Sequence, residues 1–429
     1  MILTKEFALK TTDRVARDLK AARLTCAQVW NDCLALAKEH RLQHEGQWIS
    51  KKDLEQATKG GKYQLHSQSI QAIITDYTEA RQMAQTKRKQ GDTNARYPWR
   101  QKKYRTIEFK QMAIRQTTQN TIRLTLWKGQ HFDTGLPWQE GIGVARLTWD
   151  RNRYVLQYTV EVSTPELPTE APLPETTGGI DIGEIHPAAL TTASGDITLI
   201  TGRAIRSIKQ FRNKRLAGLY RRRSRCRKGS RRHRKYGRLI ARACQKAENS
   251  CRDAFHKATR LAVTAAEAQG LTTVVIGDPK GVADKTKQQR RLSRKSRQKI
   301  AQMETGTIKQ YLQYKFALAG IRTILTEERG TTSGCPVCGT SNHCSGREYR
   351  CSCGFVAHRD GKAGFMILRK VLPEVSTPES FRLTALRALP KYRVGTTPPV
   401  DGTDCTRRSN PVRSFATDHP AGSVILRAA

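Results

Sequence analysis

Two pairs of cysteines carry the most specific chemistry in this sequence. Cys335 and Cys338 form a CxxC, and Cys351 and Cys353 a CxC, within TSGCPVCGTSNHCSGREYRCSCGFVAHRD. Paired thiolates on a tight turn grip a metal from one side, and a second pair closes the tetrahedron that zinc prefers. Gly339 and Gly354 follow the pairs, where the chain must turn sharply behind a ligand. The expectation is one structural Zn²⁺ on Cys335, Cys338, Cys351 and Cys353; the alternative is unrelated buried thiols or disulfides. Immediately afterwards come His358, Arg359 and Asp360, then an apolar helical run.

Carboxylates are scarce here, so those at the ends of expected strands stand out. Asp181 lies in one strand, Asp278 ends another, Glu327 and Glu328 follow a third, and Asp360 opens a helix. Phosphodiester hydrolysis by two Mg²⁺ ions, about 4 Å apart, needs three or four carboxylates converging from separate elements. Each acid alone is unremarkable as a surface charge; their joint placement is the signal.

The elements that must position them follow from patterning. MILTKEFALK alternates apolar and polar residues and reads as a strand, and 12–83 is helical, with breaks at Gly60 and Gly61. Segments TIEFK, TIRLTLW, GIGVARLTW and YVLQYTVEV return to strands, so a small barrel carrying a helical insertion is expected. STPELPTEAPLPETT is a linker. GGIDIGEIHPAALTTASGDITLIT reads as three successive antiparallel strands with Asp181 in the first, the opening of an RNase H-like layout. A basic helical pair, 203–270, precedes the buried strand LTTVVIGD, an amphipathic helix IKQYLQYKFALA and a further strand before Glu327.

Lys and Arg number 77 against 37 Asp and Glu, a net charge of +40, which calls for a polyanionic partner. Charge alone also suits a ribosome-associated or membrane-surface protein. No apolar run of about 18 residues exists, and no secretory leader is expected at Met1. Eleven cysteines, four of them in the cluster, fit a reducing cytoplasm. In the stretch 83–105, Tyr97, Trp99, Arg100, Lys102 and Lys103 combine phosphate-neutralising charge with aromatic faces for unpaired bases. A solvated loop with packing aromatics is the other reading. Arg221, Arg222, Arg223, Arg225, Arg227, Lys228, Arg231 and Arg232 form a stripe without compensating acids, the footprint of backbone contact with nucleic acid.

Taken together, GIDIGEIHPAA, IKQYLQYKFALAG, TSGCPVCG with CSCG, HRDGKAGFMIL and YPWRQKKYRTIEFK resemble the TnpB family of RNA-guided nucleases encoded by insertion sequences, relatives of type V CRISPR effectors. The resemblance covers roughly residues 1–370. It implies an α/β multi-domain chain: a RuvC-like nuclease domain of RNase H-like fold (178–330 and 358–371) with an inserted zinc ribbon (331–357). An N-terminal wedge β-barrel (1–11 and 95–165) would carry a helical recognition insertion (12–94). Residues 166–177 would be the linker and 372–429 a disordered basic tail. Asp181 and Asp360 would be catalytic aspartates holding two Mg²⁺ (or Mn²⁺). The second motif departs: VVIGDPKG has Gly277 where the family usually ends its strand with Glu. This resembles a branch in which that acid is relocated ahead of the CPxCG residues, where Glu328 stands. Glu328 is then the expected third ligand, with Asp278 or Glu327 as alternatives.

The implied activity is guide-RNA-directed cutting of double-stranded and single-stranded DNA beside a short motif, in a prokaryotic cytoplasm at the nucleoid and away from membranes. Two other functions compete: an RNA-guided repressor that binds without cutting, and a transposase acting without RNA. Oligomeric state is not legible.

Overall fold

In the computed structural model, residues 1–59, 61–151, 153–279, 293–342, 344, 346–387 and the backbone of 427–428 are described. The chain forms two compact units, one built from Met1–Val162 and the other beginning at Ser163.

In the first unit, β1 (Ile2–Ala8) leads into α1 (Asp13–Gln43), α2 (Lys51–Ala57) and α3 (Ser67–Lys89). Thr12 caps α1, its side chain accepting from the Val15 N–H, and the helix buries Leu19, Cys26, Val29, Trp30, Cys33 and Leu34 along one face. Trp30 meets Tyr77 of α3 edge-on, ring centroids 5.2 Å apart. Then come β2 (Ile107–Phe109), β3 (Ile114–Gln116), β4 (Thr121–Trp127), β5 (Gln130–Pro137), β6 (Ile142–Asp150) and β7 (Arg153–Glu161). These are the strands expected to form the barrel. As they stand, β1, β7, β6 and β2 share one sheet and β3, β4 and β5 another.

The second unit is organised on a six-stranded sheet. Its strands are β8 (Thr177–Asp181), β9 (Ala188–Thr192), β10 (Asp196–Thr201), β11 (Thr273–Asp278), β12 (Arg322–Glu327) and, later in the chain, one at Arg382–Arg387. β8, β9 and β10 are antiparallel neighbours, as the sequence suggested, while β11 runs parallel to both β8 and β12. Helices α4 (Arg203–Ser224) and α5 (Arg231–Ala268) form the basic pair, and α6 (Arg294–Ala301) and α7 (Thr305–Leu318) precede β12. The hairpin β13 (Glu348–Arg350) and β14 (Val356–His358) runs into α8 (Arg359–Arg369).

Helix α8 presses onto the sheet because β8 contains Gly179. A Cβ at Gly179 would run into the Gly364 backbone and stand 2.8 Å from the Leu368 nitrogen, so only glycine permits this approach. Phe365, Ile367 and Leu368 pack there with Val275, Leu372 and Val375.

Order continues past 371, where the sequence reading began its disordered tail. Arg382–Arg387 forms β15, parallel to β10, with Arg382 Nε 2.7 Å from Asp196 Oδ1. Phe381 contacts Phe365 and Phe355 edge-on at 5.6 and 5.7 Å. Surrounding Pro, Thr and Arg residues hide this strand, whose partners lie far away in sequence. Residues 388–426 and 429 of that expected tail lie outside the described residues. The backbone of Arg427–Ala428, β16, pairs with β1.

Candidate active site and metal centre

Asp181 ends β8, Asp360 lies in the first turn of α8, and Glu328 follows β12 directly. The sheet order explains how acids so distant in sequence are related: β8 and β12 both flank β11, and α8 packs across β8. Burial pushes the Asp181 carboxyl well above its ordinary range, and the charges of Glu328 and Asp360 push it further. Like charges crowded in one dry site disfavour ionisation, which is how metal-binding carboxylates register in a protein alone.

Glu328 is brought in by an absence. β11 carries Gly277 opposite Thr326 of β12, and a Cβ there would lie 2.5 Å from Glu328 Oε1 and 2.7 Å from Ile367 Cδ1. The Glu328 side chain occupies the room that any larger residue at 277 would need. Burial raises its pKa to about 7; a hydrogen bond from the Ile182 backbone opposes this and the Asp278 charge adds to it. Its Oε1 is buried without a hydrogen-bond partner, a costly state for a carboxylate oxygen. Hard, mutually repelling oxygens with an orphaned lone pair are a donor set that fits Mg²⁺.

The alternative acids sit elsewhere. Asp278 is held by Lys309 Nζ at 2.7 Å. Glu327 is exposed at the end of β12, since successive strand residues point to opposite faces. The carboxylates that weigh most on Asp181 are Glu328 and Asp360.

Asp360 is buried beside one histidine and two arginines. Its Oδ2 is 2.7 Å from His186 Nδ1 and 2.9 Å from an Arg347 guanidinium nitrogen, and its Oδ1 is 3.2 Å from Arg359 Nε. Burial alone would raise its pKa; His186, Arg359 and Arg347 outweigh that and hold it at about 2. His186 and Arg347 escaped the sequence reading. A lone histidine in GEIHPAA and an arginine in a polar loop give no signal until the fold brings them to Asp360.

The four cysteines do meet. Cys335 and Cys353 sulfurs are 3.7 Å apart, Cys338 and Cys351 sulfurs 3.5 Å, and all four lie within 4.8 Å of one another. A tetrahedron of Zn–S bonds of about 2.3 Å has edges near 3.8 Å, so this arrangement fits Zn²⁺. Among the described residues no other group of His, Cys, Asp or Glu converges as tightly; the carboxylates are more widely spread.

Helix α8 ties the two centres together. The buried Lys362 Nζ donates to the Thr332 and Gly334 carbonyls at 2.7 and 2.8 Å, and lies 4.0 Å from the centre of the Tyr349 ring. Arg369 donates to Pro336 O. Lys370 Nζ donates to the carbonyls of Glu327 and Arg329, at 2.6 and 2.8 Å, bracketing Glu328.

The residues expected to meet nucleic acid divide into two sets, one in each unit. Tyr97 and Trp99 close on Trp48, at 5.0 and 5.2 Å between centroids, with Arg41 4.4 Å from the Trp48 ring. These rings therefore pack their loop against the helices, while Trp99 keeps 37% exposure and Arg100, Lys102 and Lys103 are exposed. Asn31 pins the Lys102 backbone through two hydrogen bonds. In the second unit, Arg221, Arg222, Arg225, Arg227, Lys228, Arg231 and Arg232 are exposed around the α4–α5 turn, and Arg223 is half-buried. Phe211 and Tyr220 of α4, 65% and 52% exposed, are aromatic faces on this arm that the sequence reading passed over.

Among the described residues no helix is long and apolar enough to cross a membrane. Residues 157–283 match the family OrfB_IS605, described as a probable transposase, and residues 306–367 match the Cas12f1-like TNB domain. The fold is similar to that in a cryo-EM structure of a Cas12f1–sgRNA–target DNA complex, with TM-score 0.51, 11% identity and 83% of each chain covered. A cryo-EM structure of CasPhi-2 (Cas12j) bound to crRNA and phosphorothioate-DNA matches with TM-score 0.47 and 9% identity, over 89% of this chain and 93% of that one. No curated protein matches significantly.

Proposed function

We propose that the chain is an RNA-guided DNA endonuclease of the TnpB type, with a RuvC-like, RNase H-like site in which Asp181, Glu328 and Asp360 hold Mg²⁺. The observation that carries this reading is the Glu328 carboxylate in the space left by Gly277, with its charge acting on Asp181. The matches of 157–283 and 306–367 support the family, and the Cas12f1–sgRNA–target DNA complex of similar fold supports a guide RNA and a DNA target as partners. Mg²⁺ held by Asp181, Glu328 and Asp360 would supply activation of a water and charge stabilisation of the leaving oxygen.

The chain's own residues do the rest. Asp181 ends a strand, Glu328 follows one and is bracketed by Lys370, and Asp360 lies in the first turn of α8, so three parts of the fold each supply one carboxylate to the proposed site. His186 and Arg347 hold the Asp360 carboxylate ionised and oriented. The zinc ribbon, through Lys362, fixes the approach of the chain to Asp360. The exposed arginines of the α4–α5 arm neutralise phosphates, while base pairing between guide and target supplies the sequence specificity.

The test is a purified complex of protein and element-derived RNA, given Mg²⁺ and a plasmid target. Wild type should linearise the plasmid and Asp181→Ala should not. Target binding without cutting by wild type would replace this reading with that of a guided repressor.

A further inference from the structure

A cavity of about 340 Å³ lies beside the carboxylates in the second unit, walled by the loop after β8, helices α4 and α6, and the start of α7. That loop faces two ways. Its His186 reaches Asp360, while Gly183, Glu184 and Pro187 line the cavity. The loop is stiff: Gly183 N–H donates to His186 O at 2.9 Å, Gly202 N–H donates to Ile185 O at 2.6 Å, and Glu184 pairs with Arg206 at 3.1 Å. One short, braced turn therefore separates the cavity from the proposed catalytic centre.

The lining suits a nucleotide. Ile205, Phe255 and Ile308 give an apolar floor. Above it, Asn213 and Gln302 exchange two long hydrogen bonds, of 3.2 and 3.3 Å, each amide offering a donor and an acceptor. Such side chains can trade one another for the edge of a base. At the rim, Lys214, Lys295 and Lys299 are exposed and have no ion pair among the described residues, which leaves them to meet phosphate. The volume stands at the small end of ligand pockets, enough for one nucleotide and too little for an oligomer.

We infer that this cavity receives one nucleotide of the DNA strand being cut, flanking the scissile phosphate, with its base toward the Phe255 floor and its phosphates toward the lysine rim. The inference rests on the nuclease reading above, because the shared loop makes the strand at the carboxylates the strand within reach.

The decisive experiment reads contact and does not need cutting. Full-length chain carrying Asp181→Ala, complexed with its RNA, is given target DNA with a single 4-thiothymidine moved along the cut strand, irradiated, and its adducts mapped by mass spectrometry. One position should crosslink to the cavity wall. That adduct should fall about tenfold in Met303→Trp, which fills the cavity, and in Lys214→Ala/Lys299→Ala, which alters only exposed residues. Adducts confined to residues 221–232 around the α4–α5 turn, or cavity adducts formed by photoactive RNA, would overturn the inference. Where wild type cuts, an abasic nucleotide at the crosslinked position should slow cutting about tenfold while neighbouring abasic positions do not; a flat profile would also overturn it.

Discussion

A Cβ on Gly277 would stand 2.5 Å from Oε1 and 2.6 Å from Cγ of Glu328, so the bare backbone of β11 and the side chain following β12 share one space. The two positions are complementary: the acid can occupy this place because the residue beside it has no side chain. Gly277→Ala should consequently displace Glu328 while leaving the strand intact. Cutting by the guided complex should fall at least about tenfold, with an unchanged circular dichroism spectrum. Full activity in Gly277→Ala would mean that the carboxylate position has no bearing on cutting.

The four-cysteine segment and the proposed catalytic acids are joined through Lys362 of α8, whose ammonium holds the Thr332 and Gly334 carbonyls. Zinc of this kind contributes roughly 10 kcal/mol to ordering a small module. Cys335→Ser should lose the metal, measured by elemental analysis, and lose cutting with it. A zinc-free variant that cuts at the wild-type rate would separate the two centres.

Lys370 grips the carbonyls on both sides of Glu328 from an exposed position. Removing these charge-assisted hydrogen bonds should cost about 1 kcal/mol of positioning, or about fivefold in the cutting rate of Lys370→Ala. Lys370→Arg should recover most of that loss, and target binding should be unaffected. A defect in binding instead would assign Lys370 to the nucleic acid.

Phe381 anchors β15 by its edge contacts with Phe355 and Phe365. Phe381→Ala should destabilise the second unit by about 2 kcal/mol, lowering its melting temperature by roughly 4–8 °C. An unchanged melting temperature would show that β15 adds nothing to the sheet.

Much of this arrangement is legible in the sequence because it is local. The cysteine spacing announces its own metal, β8, β9 and β10 are joined by short turns, and Asp181 and Asp360 sit inside recognisable motifs. What escapes is relational. His186 and Arg347 acquire meaning only beside Asp360, 174 and 13 residues away in the chain. β15 is hidden because its partner β10 precedes it by 186 residues, and its flanks have the composition of a tail. Tyr97 and Trp99 take part in packing that the sequence does not announce, Trp99 stacking on Trp48 and Tyr97 meeting it at a tilt.

Whether Glu328 is the third acid is tested directly by one comparison. Plasmid cutting in Mg²⁺ is measured for wild type, Glu328→Ala, Glu327→Ala, Asp278→Ala and the exchange Gly277→Glu/Glu328→Ala. Glu328→Ala should lose at least about a hundredfold, as expected for a group that supports several kcal/mol of metal catalysis. Glu327→Ala and Asp278→Ala should stay near wild type, and the exchange should recover part of the activity by returning a carboxylate to the same space from the other strand. Cutting that survives Glu328→Ala, or that is abolished by Asp278→Ala alone, would contradict the account.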